Sequence, residues 1–228
     1  MRVGILVQVR LGSTRLPGKA LLPLPGGTVI QHVMRSLGRV PADVRALVTE
    51  ARSAGALGPL AREEGFHLFV GPEDDVLARY CMACRELDVS RVIRATGDNP
   101  LTSPSLACSI LDAHAAGGFD LSHYLGIPWG TGVEVVEAAA LFRAEREAHD
   151  RAEREHITTY LYRHPDLFRL HEPEGPPGSI FPGARVTVDT EEDYKRISAI
   201  FEDLYKSSPI DVDSLVSWFA ASAGKAAR

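Results

Sequence analysis

The chain has 228 residues, 45% of them hydrophobic and 24% charged. This suits one ordinary α/β domain and excludes both two large domains and wholesale disorder. Its 25 basic and 30 acidic residues give a formal net charge of −5, and the basic residues form no dense run, so we expect no general electrostatic capture of nucleic acid or of a membrane surface.

Up to residue 116, apolar runs alternate with amphipathic stretches. The predicted strands are residues 3–9, 45–49, 66–70 and 91–95, and the predicted helices are residues 29–39, 54–64, 74–87 and 105–116. This alternation predicts an α/β fold, a mostly parallel sheet with helices on both faces. Ligands of such sheets bind beyond the carboxyl ends of the strands, which points to the loops after Val9 and Ala95.

After Phe119 the pattern changes. The predicted features are a loop at 125–132, a strand at 133–137, a helical stretch at 138–164 that breaks near a capping box of Asp150 and Glu153, a Pro/Gly-rich connector or lid at 172–183, a strand at 185–188 and a helix from Glu191. We predict a single domain over residues 1–219 and a frayed tail at 220–228.

The three cysteines cannot make a disulfide framework. Cys81 and Cys84 lie three residues apart in an apolar helical stretch, where two small core-facing side chains are favoured over a redox or zinc pair. No apolar run approaches the roughly 20 residues that span a bilayer. The N-terminus enters a strand without the basic region of a signal peptide. The sequence therefore predicts a soluble, reduced, cytoplasmic protein.

The loop after the first strand, QVRLGSTRLPGKAL at residues 8–21, interleaves cations with small residues. The cations are Arg10, Arg15 and Lys19, with Gly12 and Ser13 between them. A triphosphate needs charge-assisted donors from several sides and backbone N–H groups that approach closely, which glycine permits. The spacing of a Walker loop is absent, and a solvated basic turn is the alternative interpretation.

Two aspartates directly follow predicted strands, Asp98 in RATGDNPL and Asp189 in RVTVDTEEDY. Mg²⁺ in phosphate-transfer sites is held by one or two carboxylates together with waters. If the two turns meet above one sheet edge, the pair predicts a magnesium site. Asp98 could instead form an Asx turn before Pro100, and Asp189 could cap the next helix in competition with Thr190.

Six segments that together span most of the chain carry a family resemblance. They are VQVRLGSTRLPGKAL, GPEDDVLARY, RATGDNPL, GVEVV, REHITTYLYRHP and RVTVDTEEDY. The chain resembles the CMP-sugar cytidylyltransferases, and within them the group like spore-coat polysaccharide biosynthesis protein F. The resemblance implies a three-layer nucleotide-diphospho-sugar-transferase fold, CTP as donor, Mg²⁺ as cofactor, a sugar or sugar-acid acceptor, and a homodimer.

The resemblance also assigns site residues by position. Its phosphate and nucleotide contacts fall on Arg10, Gly12, Ser13, Arg15, Lys19, Asp75 and Arg79. Its metal ligands are Asp98 and Asp189, and its catalytic residues are Lys19, Arg15 and Asp98. For Arg79, an ion pair with Asp75 one turn away on an exposed helix face is at least as well supported.

Residues 120–184 would form the acceptor and dimerisation part. Trp129 and Glu134 are candidate acceptor contacts, although an aromatic side chain there would also suit a core or an interface. His156 is a further acceptor candidate, but we favour helix surface or subunit interface for residues 154–156. The apolar positions of residues 157–161 would suit a dimer contact.

Two positions depart from the family pattern. Gly132 stands where an acidic residue is usual, which leaves Glu134 as the nearest carboxylate, and Asn99 stands where the subgroup commonly has Cys.

The reaction that these assignments imply is attack by a sugar hydroxyl on the α-phosphorus of CTP with release of pyrophosphate. Positioning and electrostatics can carry most of such a transfer, so no obvious general base is required. One alternative keeps the fold with another nucleotide donor or a glycosyl transfer from a nucleotide-sugar. Another is a nucleotide-binding protein without catalysis.

Overall fold

The structure is a computed structural model and describes residues 1–226. The described residues form nine strands: β1 (Val3–Gln8), β2 (Pro23–Leu24), β3 (Gly27–Thr28), β4 (Val44–Thr49), β5 (His67–Val70), β6 (Arg91–Thr96), β7 (Leu121–Ser122), β8 (Glu134–Glu137) and β9 (Leu170–His171). They also form nine α-helices: α1 (Val29–Leu37), α2 (Ala51–Glu63), α3 (Val76–Glu86), α4 (Pro104–Gly117), α5 (Ala138–Glu147), α6 (Arg151–Glu155), α7 (Thr159–Arg163), α8 (Glu191–Leu204) and α9 (Val212–Ala226).

Seven strands form one sheet in the order β5-β4-β1-β6-β8-β7-β9, and β2 and β3 form a separate hairpin. The pairs β1–β4, β1–β6, β4–β5 and β7–β9 are parallel, whereas β8 runs antiparallel to both β6 and β7. Gln8 pairs with Val48 on one side and with Thr96 on the other. The loops after β1, β4 and β6 therefore leave the sheet at the same edge.

Helices cover both faces of the sheet, as the sequence predicts. Side chains of α1, α2 and α4 pack with Ile5 and Val7 of β1 on one face, and side chains of α3, α5 and α7 pack with Leu6 on the other. Successive residues of a strand point to opposite faces, which is why β1 reads as a continuous apolar run. A third cluster joins α8 and α9 to Val186 and Val188.

The second half departs from the predicted elements. Residues 185–188 form an isolated bridge between Trp129 and Arg185 but no ladder of strand pairing, so the predicted strand is absent there. The predicted break near Asp150 is present, because the Ala152 N–H donates to its Oδ1 at 2.7 Å and begins α6. Helix α9 continues through the described part of the predicted tail, 220–226, and residues 227–228 lie outside the described residues.

Two stretches of the sequence, around Cys81 and around Ile157, place their side chains in the same part of the core. Cys81 and Cys84 are buried, which confirms the core-facing interpretation of this pair. The predicted dimer contact at 157–161 is wrong, because Ile157 and Leu161 are fully buried in the core of their own chain. No helix among the described residues has the length and apolar character needed to cross a membrane.

Candidate active site

The phosphate loop that the sequence predicts, residues 8–21, is held at Leu11. The Leu11 carbonyl accepts the Gly18 N–H at 3.0 Å, and the Leu11 N–H donates to the Ser53 hydroxyl at 2.9 Å. Gly18 has φ +69°, a left-handed conformation that glycine adopts without strain, and a 3₁₀ turn (Lys19–Leu21) follows it. The loop therefore delivers Lys19 from a fixed turn.

The anchor of this loop is itself part of a buried network. Ser53 lies in the first turn of α2, and Glu50 caps that helix by accepting the Ser53 N–H at 3.1 Å. The Ser53 hydroxyl also donates to the Glu50 carboxylate. Because this hydroxyl donates to Glu50 and accepts from the loop, α2 fixes the start of the phosphate loop. The sequence analysis predicted neither Glu50 nor Ser53 for the site. The pattern that could have indicated them is a carboxylate followed by a serine at the start of the helix after β4.

At the centre of the site, one ammonium group joins the two predicted aspartates. Lys19 Nζ donates to Asp98 Oδ2 at 2.6 Å and to Asp189 Oδ1 at 2.8 Å. The side chains of Lys19 and Asp189 are 13% and 12% exposed, so water screens the contact only partly. The Val188 N–H donates to the Asp98 carbonyl at 2.9 Å, which joins the two aspartate turns through their backbones. The predicted convergence of these three side chains is confirmed.

The protonation of Asp189 is set by its neighbours. Burial acts to raise the pKa of this carboxyl, but hydrogen bonds and charge from Lys19 and Arg185, together with the Arg15 charge, lower it below its ordinary value. Arg15 Nη2 lies 3.1 Å from Asp189 Oδ1, and Arg185 pairs with the other oxygen. Asp189 is therefore an anion that three cations surround.

A cavity of about 330 Å³ opens beside this centre. Its wall contains most of the predicted phosphate contacts, namely Arg10, Ser13, Arg15 and Lys19, together with Asp98, Asp189 and His156. Gly12 is not part of the wall, and a Cβ added there would meet no atom within 4 Å. We call this space the phosphate cavity.

A second cavity of about 610 Å³ shares Thr96, Asp98 and Asp189 with the phosphate cavity. We call it the acceptor-side cavity. Trp129 lies in its wall with a side chain that is 67% exposed, and Glu134 also lines it. Because the two spaces share walls at the aspartates, molecules bound in each would meet at Asp98 and Asp189.

Glu134 is fixed by donors that the sequence analysis did not single out. Its carboxylate accepts from the hydroxyls of Tyr162 at 2.8 Å and Thr158 at 3.1 Å, and from Arg94 at 3.1 Å. Burial, followed by the Glu134 charge, raises the pKa of Tyr162, so this phenol stays protonated and donates. Glu134 therefore forms part of a paired polar wall.

Residues 125–129 line the acceptor-side cavity and are joined by main-chain hydrogen bonds to residues 173–184, which lie outside its wall; we call the two segments together the rim. The Leu125 N–H donates to the Pro173 carbonyl at 2.8 Å, the Phe181 N–H to Gly126 at 2.9 Å and the Trp129 N–H to Ala184 at 2.8 Å. The predicted loop and the predicted connector thus form one unit. Gly132 lines the acceptor-side cavity, and a Cβ added there would come within 2.7 Å of Ile127 Cδ1.

Asp75 and Arg79 lie outside the walls of both cavities. Asp75 caps α3 through the Ala78 N–H at 2.9 Å and pairs with Arg154, whose Nε lies at 2.9 Å. Arg79 is 1% exposed and donates to the Pro72 carbonyl at 2.5 Å. The alternative of an exposed Asp75–Arg79 pair is therefore wrong. The nucleotide contact predicted for them stays a prediction.

The donor set at the centre fits a divalent cation. Two carboxylates contact one shared cationic atom, and they lie beside a cavity lined by the cations that are predicted to bind phosphate. Mg²⁺ commonly takes one or two carboxylates and fills its other positions with water and phosphate oxygens. The described residues contain no group of three or more His, Cys, Asp and Glu that could hold a metal alone. Asp98 and Asp189 are therefore the residues that would hold Mg²⁺ together with a phosphate ligand.

Sequence comparison connects this geometry to known proteins. The chain is 33% identical over 219 residues to the spore coat polysaccharide biosynthesis protein SpsF of Bacillus subtilis, covering 93% of this chain and 91% of that protein. It is 31% identical over 108 residues to the 3-deoxy-manno-octulosonate cytidylyltransferase of Trichlorobacter lovleyi, covering 46% of this chain and 42% of that protein.

Solved structures agree. A cytidylyltransferase from Leptospira borgpetersenii superimposes with a TM-score of 0.89 at 25% identity, covering 98% of this chain and 96% of that one. The CTP complex of CMP:2-keto-3-deoxy-manno-octonic acid synthetase shares the fold, with a TM-score of 0.68 at 15% identity over 89% of this chain and 99% of that one. The sequence model described as cytidylyltransferase matches residues 4–217, a span that includes both the phosphate loop and Asp189. On that match, the protein whose two cavities meet at Lys19, Asp98 and Asp189 belongs to the cytidylyltransferase family.

Proposed function

We propose that this protein transfers CMP from CTP to a hydroxyl of a sugar or sugar acid and releases pyrophosphate. The observation that carries the proposal is the meeting of two cavities at Asp98 and Asp189, one lined by phosphate-binding cations and the other by polar and aromatic side chains. Membership of the cytidylyltransferase family supports a nucleotidyl transfer. The name of the SpsF relative supports a role in polysaccharide biosynthesis.

In this mechanism the triphosphate of CTP occupies the phosphate cavity. Arg10, Arg15 and Lys19 neutralise its oxygens, and the backbone around Ser13 comes close to the phosphates. The acceptor hydroxyl attacks the α-phosphorus, the bond to the bridging oxygen breaks, and pyrophosphate leaves with those cations beside it. The hydroxyl proton passes to solvent. Cations placed where charge develops are the main source of acceleration in such transfers.

Asp98 and Asp189 would hold Mg²⁺, and when bound the ion supplies charge neutralisation at the phosphates and a lower pKa for a coordinated hydroxyl. The carboxylates themselves keep Lys19 oriented at the boundary of the two cavities. The carboxylate of Glu134, held by Tyr162, offers oxygens to which the hydroxyls of the sugar can donate hydrogen bonds. The exposed face of Trp129 offers the sugar an aromatic surface. We also propose a homodimer, which light scattering would test.

Pyrophosphate release tests this proposal. Purified protein is assayed with each of the four nucleoside triphosphates, with and without Mg²⁺, against sugars and sugar acids that include 3-deoxy-manno-octulosonate. We expect release with CTP, and a loss of about 10²-fold or more in Lys19→Ala and Asp98→Ala. Lys195→Ala is the matched control, because Lys195 is exposed and pairs with Glu191 on α8.

Each other outcome selects a different function. Release with a nucleotide other than CTP would indicate another nucleotidyl transfer on the same fold. Transfer from a nucleotide-sugar without pyrophosphate would indicate a glycosyltransferase. CTP binding without turnover of any acceptor would indicate a catalytically silent nucleotide-binding protein. Wild-type-like turnover in Lys19→Ala would remove the site assignment.

A further inference from the structure

The motif Arg154–Glu155–His156, for which the sequence favoured a surface role, lies at the phosphate cavity. His156 ends α6 and forms part of the cavity wall together with Arg10 and Lys19. It is not part of the acceptor-side wall, so its predicted acceptor contact has no support from the cavities. The imidazole thus approaches the cavity from α6, whereas the three predicted phosphate cations all come from the phosphate loop.

Hydrogen bonds on both sides fix the backbone of His156. Its N–H donates to the Ala152 carbonyl at 2.8 Å, and its carbonyl accepts the Thr159 N–H at 2.7 Å. Short helices α6 and α7 therefore meet at this residue. Because this backbone is already ordered, only the side-chain torsions of His156 remain to be fixed when a ligand binds.

Arg154 ties this corner to the rest of the molecule. Its Nε donates to Asp75 at 2.9 Å, and its Nη1 donates to the Glu145 carbonyl at 2.7 Å. One guanidinium thus joins α6 to the start of α3 and to the end of α5. Because both partners lie outside the phosphate cavity, Arg154 holds His156 in place without lining the cavity itself.

Glu155 faces the phosphate loop from the same helix. Its carboxylate lies 3.6 Å from Arg10 Nη2, and both side chains are substantially exposed. Exposed pairs of this kind contribute little to the free energy of folding, so a bound triphosphate can replace Glu155 as the partner of Arg10 with little loss of stability. Of the three residues, His156 therefore lines the phosphate cavity, Glu155 contacts a cation of its wall, and Arg154 holds their helix from outside.

We propose that His156 binds the triphosphate of CTP through a ring N–H, and that Arg154 is its positioning residue. This inference rests on the proposed function, because it takes CTP as the ligand of the phosphate cavity. A neutral imidazole has one N–H donor and a protonated one has two, so either form can donate to a phosphate oxygen. His156 would thus add a donor from the end of α6 to the donors that Arg10, Arg15 and Lys19 supply from the phosphate loop.

Calorimetric titration of the full chain with CTP, pyrophosphate and CMP tests the assignment. We expect His156→Ala to weaken CTP and pyrophosphate by about tenfold, as for one hydrogen bond to a charged group. CMP, which lacks the β- and γ-phosphates, should change by less than about threefold. His149→Ala is the matched control, since His149 is exposed just before α6 and lines neither cavity. His156→Gln keeps an N–H donor and should recover part of the affinity.

Arg154→Gln should weaken the same two ligands, but less than His156→Ala does, with a thermal midpoint measured alongside to separate unfolding from lost binding. Unchanged CTP and pyrophosphate affinity in folded His156→Ala would overturn the inference while leaving the proposed function in place. Equal losses for CMP and CTP would also overturn it. If wild-type protein binds CTP through His156 but turns over no acceptor, the proposed reaction fails and this inference stands; if it binds no CTP, both fail.

Discussion

Replacing Lys19 with methionine should expose a repulsion that the wild-type protein neutralises. Asp98 Oδ2 and Asp189 Oδ1 contact the same Nζ at 2.6 and 2.8 Å, so their separation is less than the sum of these distances. At about 5 Å and an effective dielectric constant near 20, two such charges repel by about 3 kcal/mol. Arg15 and Arg185 remain beside Asp189 and offset part of this, which leaves about 2 kcal/mol.

The loss should depend on pH in a direction that the pKa of Asp189 fixes. In the wild-type protein this pKa lies below its ordinary value, so the carboxylate contributes stability that is present above about pH 4 and is lost as pH falls further. Without Lys19 the Asp189 carboxyl loses a hydrogen bond and a charge that lower its pKa, so it binds a proton at a higher pH than in the wild-type protein. Lys19→Met should therefore lose most stability at pH 7 and less near pH 4.5.

Thermal unfolding at the two pH values measures this. We expect the midpoint of Lys19→Met to fall by about 4–8 °C at pH 7 and by less than half of that at pH 4.5, each against wild-type protein in the same buffer. The double variant Lys19→Met with Asp98→Asn removes one of the repelling charges and should recover most of the loss at pH 7. A loss of equal size at both pH values, with no recovery in the double variant, would refute the electrostatic reasoning.

Three other contacts give outcomes of their own. Ser53→Ala removes the hydroxyl that anchors the phosphate loop, so KM for CTP should rise about fivefold in pyrophosphate release while kcat changes little; an unchanged KM would contradict the anchor. Burial lowers the pKa of His32 to about 4, so the unfolded chain binds more protons between pH 4 and 6.5. Urea titrations from pH 7 to pH 4 should show wild-type stability falling by roughly 3 kcal/mol more than that of His32→Gln, and parallel curves would exclude this linkage. Tyr162→Phe removes a donor to Glu134, so KM for the acceptor should rise severalfold with KM for CTP unchanged; a rise in both would indicate a disturbed fold.

The first half of the fold follows from sequence pattern because each parallel strand is buried on both faces and reads as an apolar run. The same logic locates Lys19 and Asp98, since the chain segments that leave the parallel strands β1 and β6 emerge at one sheet edge. Asp189 follows a segment that forms no strand, and the bond from the Val188 N–H to the Asp98 carbonyl brings its turn to that edge. The strands of the second half are harder to predict from the sequence. Strands β7 and β9 have two residues each, which is too short for any periodicity, and their pairing depends on partners far along the chain.

The sequence analysis also did not predict the contacts between side chains that lie far apart in the sequence. The spacing of Asp75 and Arg79 suits a pair on one helix, but Arg154 takes the carboxylate and Arg79 is buried against main-chain carbonyls instead. The apolar side chains of 157–161 suit either a partner subunit or the chain's own core, and pattern alone does not distinguish the two. Ser53 was not singled out as a site residue because its role depends on a contact with Leu11, which lies 42 residues earlier.

The main-chain hydrogen bonds that hold the rim of the acceptor-side cavity affect which substitutions the rim can accept. Its segments are joined through N–H and carbonyl groups that every residue except proline supplies in full, so their amino-acid identities are not what keeps them in place. Asp98 and Asp189 lie outside these segments, and their turns are joined by Lys19 and by the bond from the Val188 N–H to the Asp98 carbonyl. Selection, or a library randomised at exposed cavity-lining positions such as Leu125 and Trp129, can therefore explore new acceptors while Lys19, Asp98 and Asp189 stay unchanged.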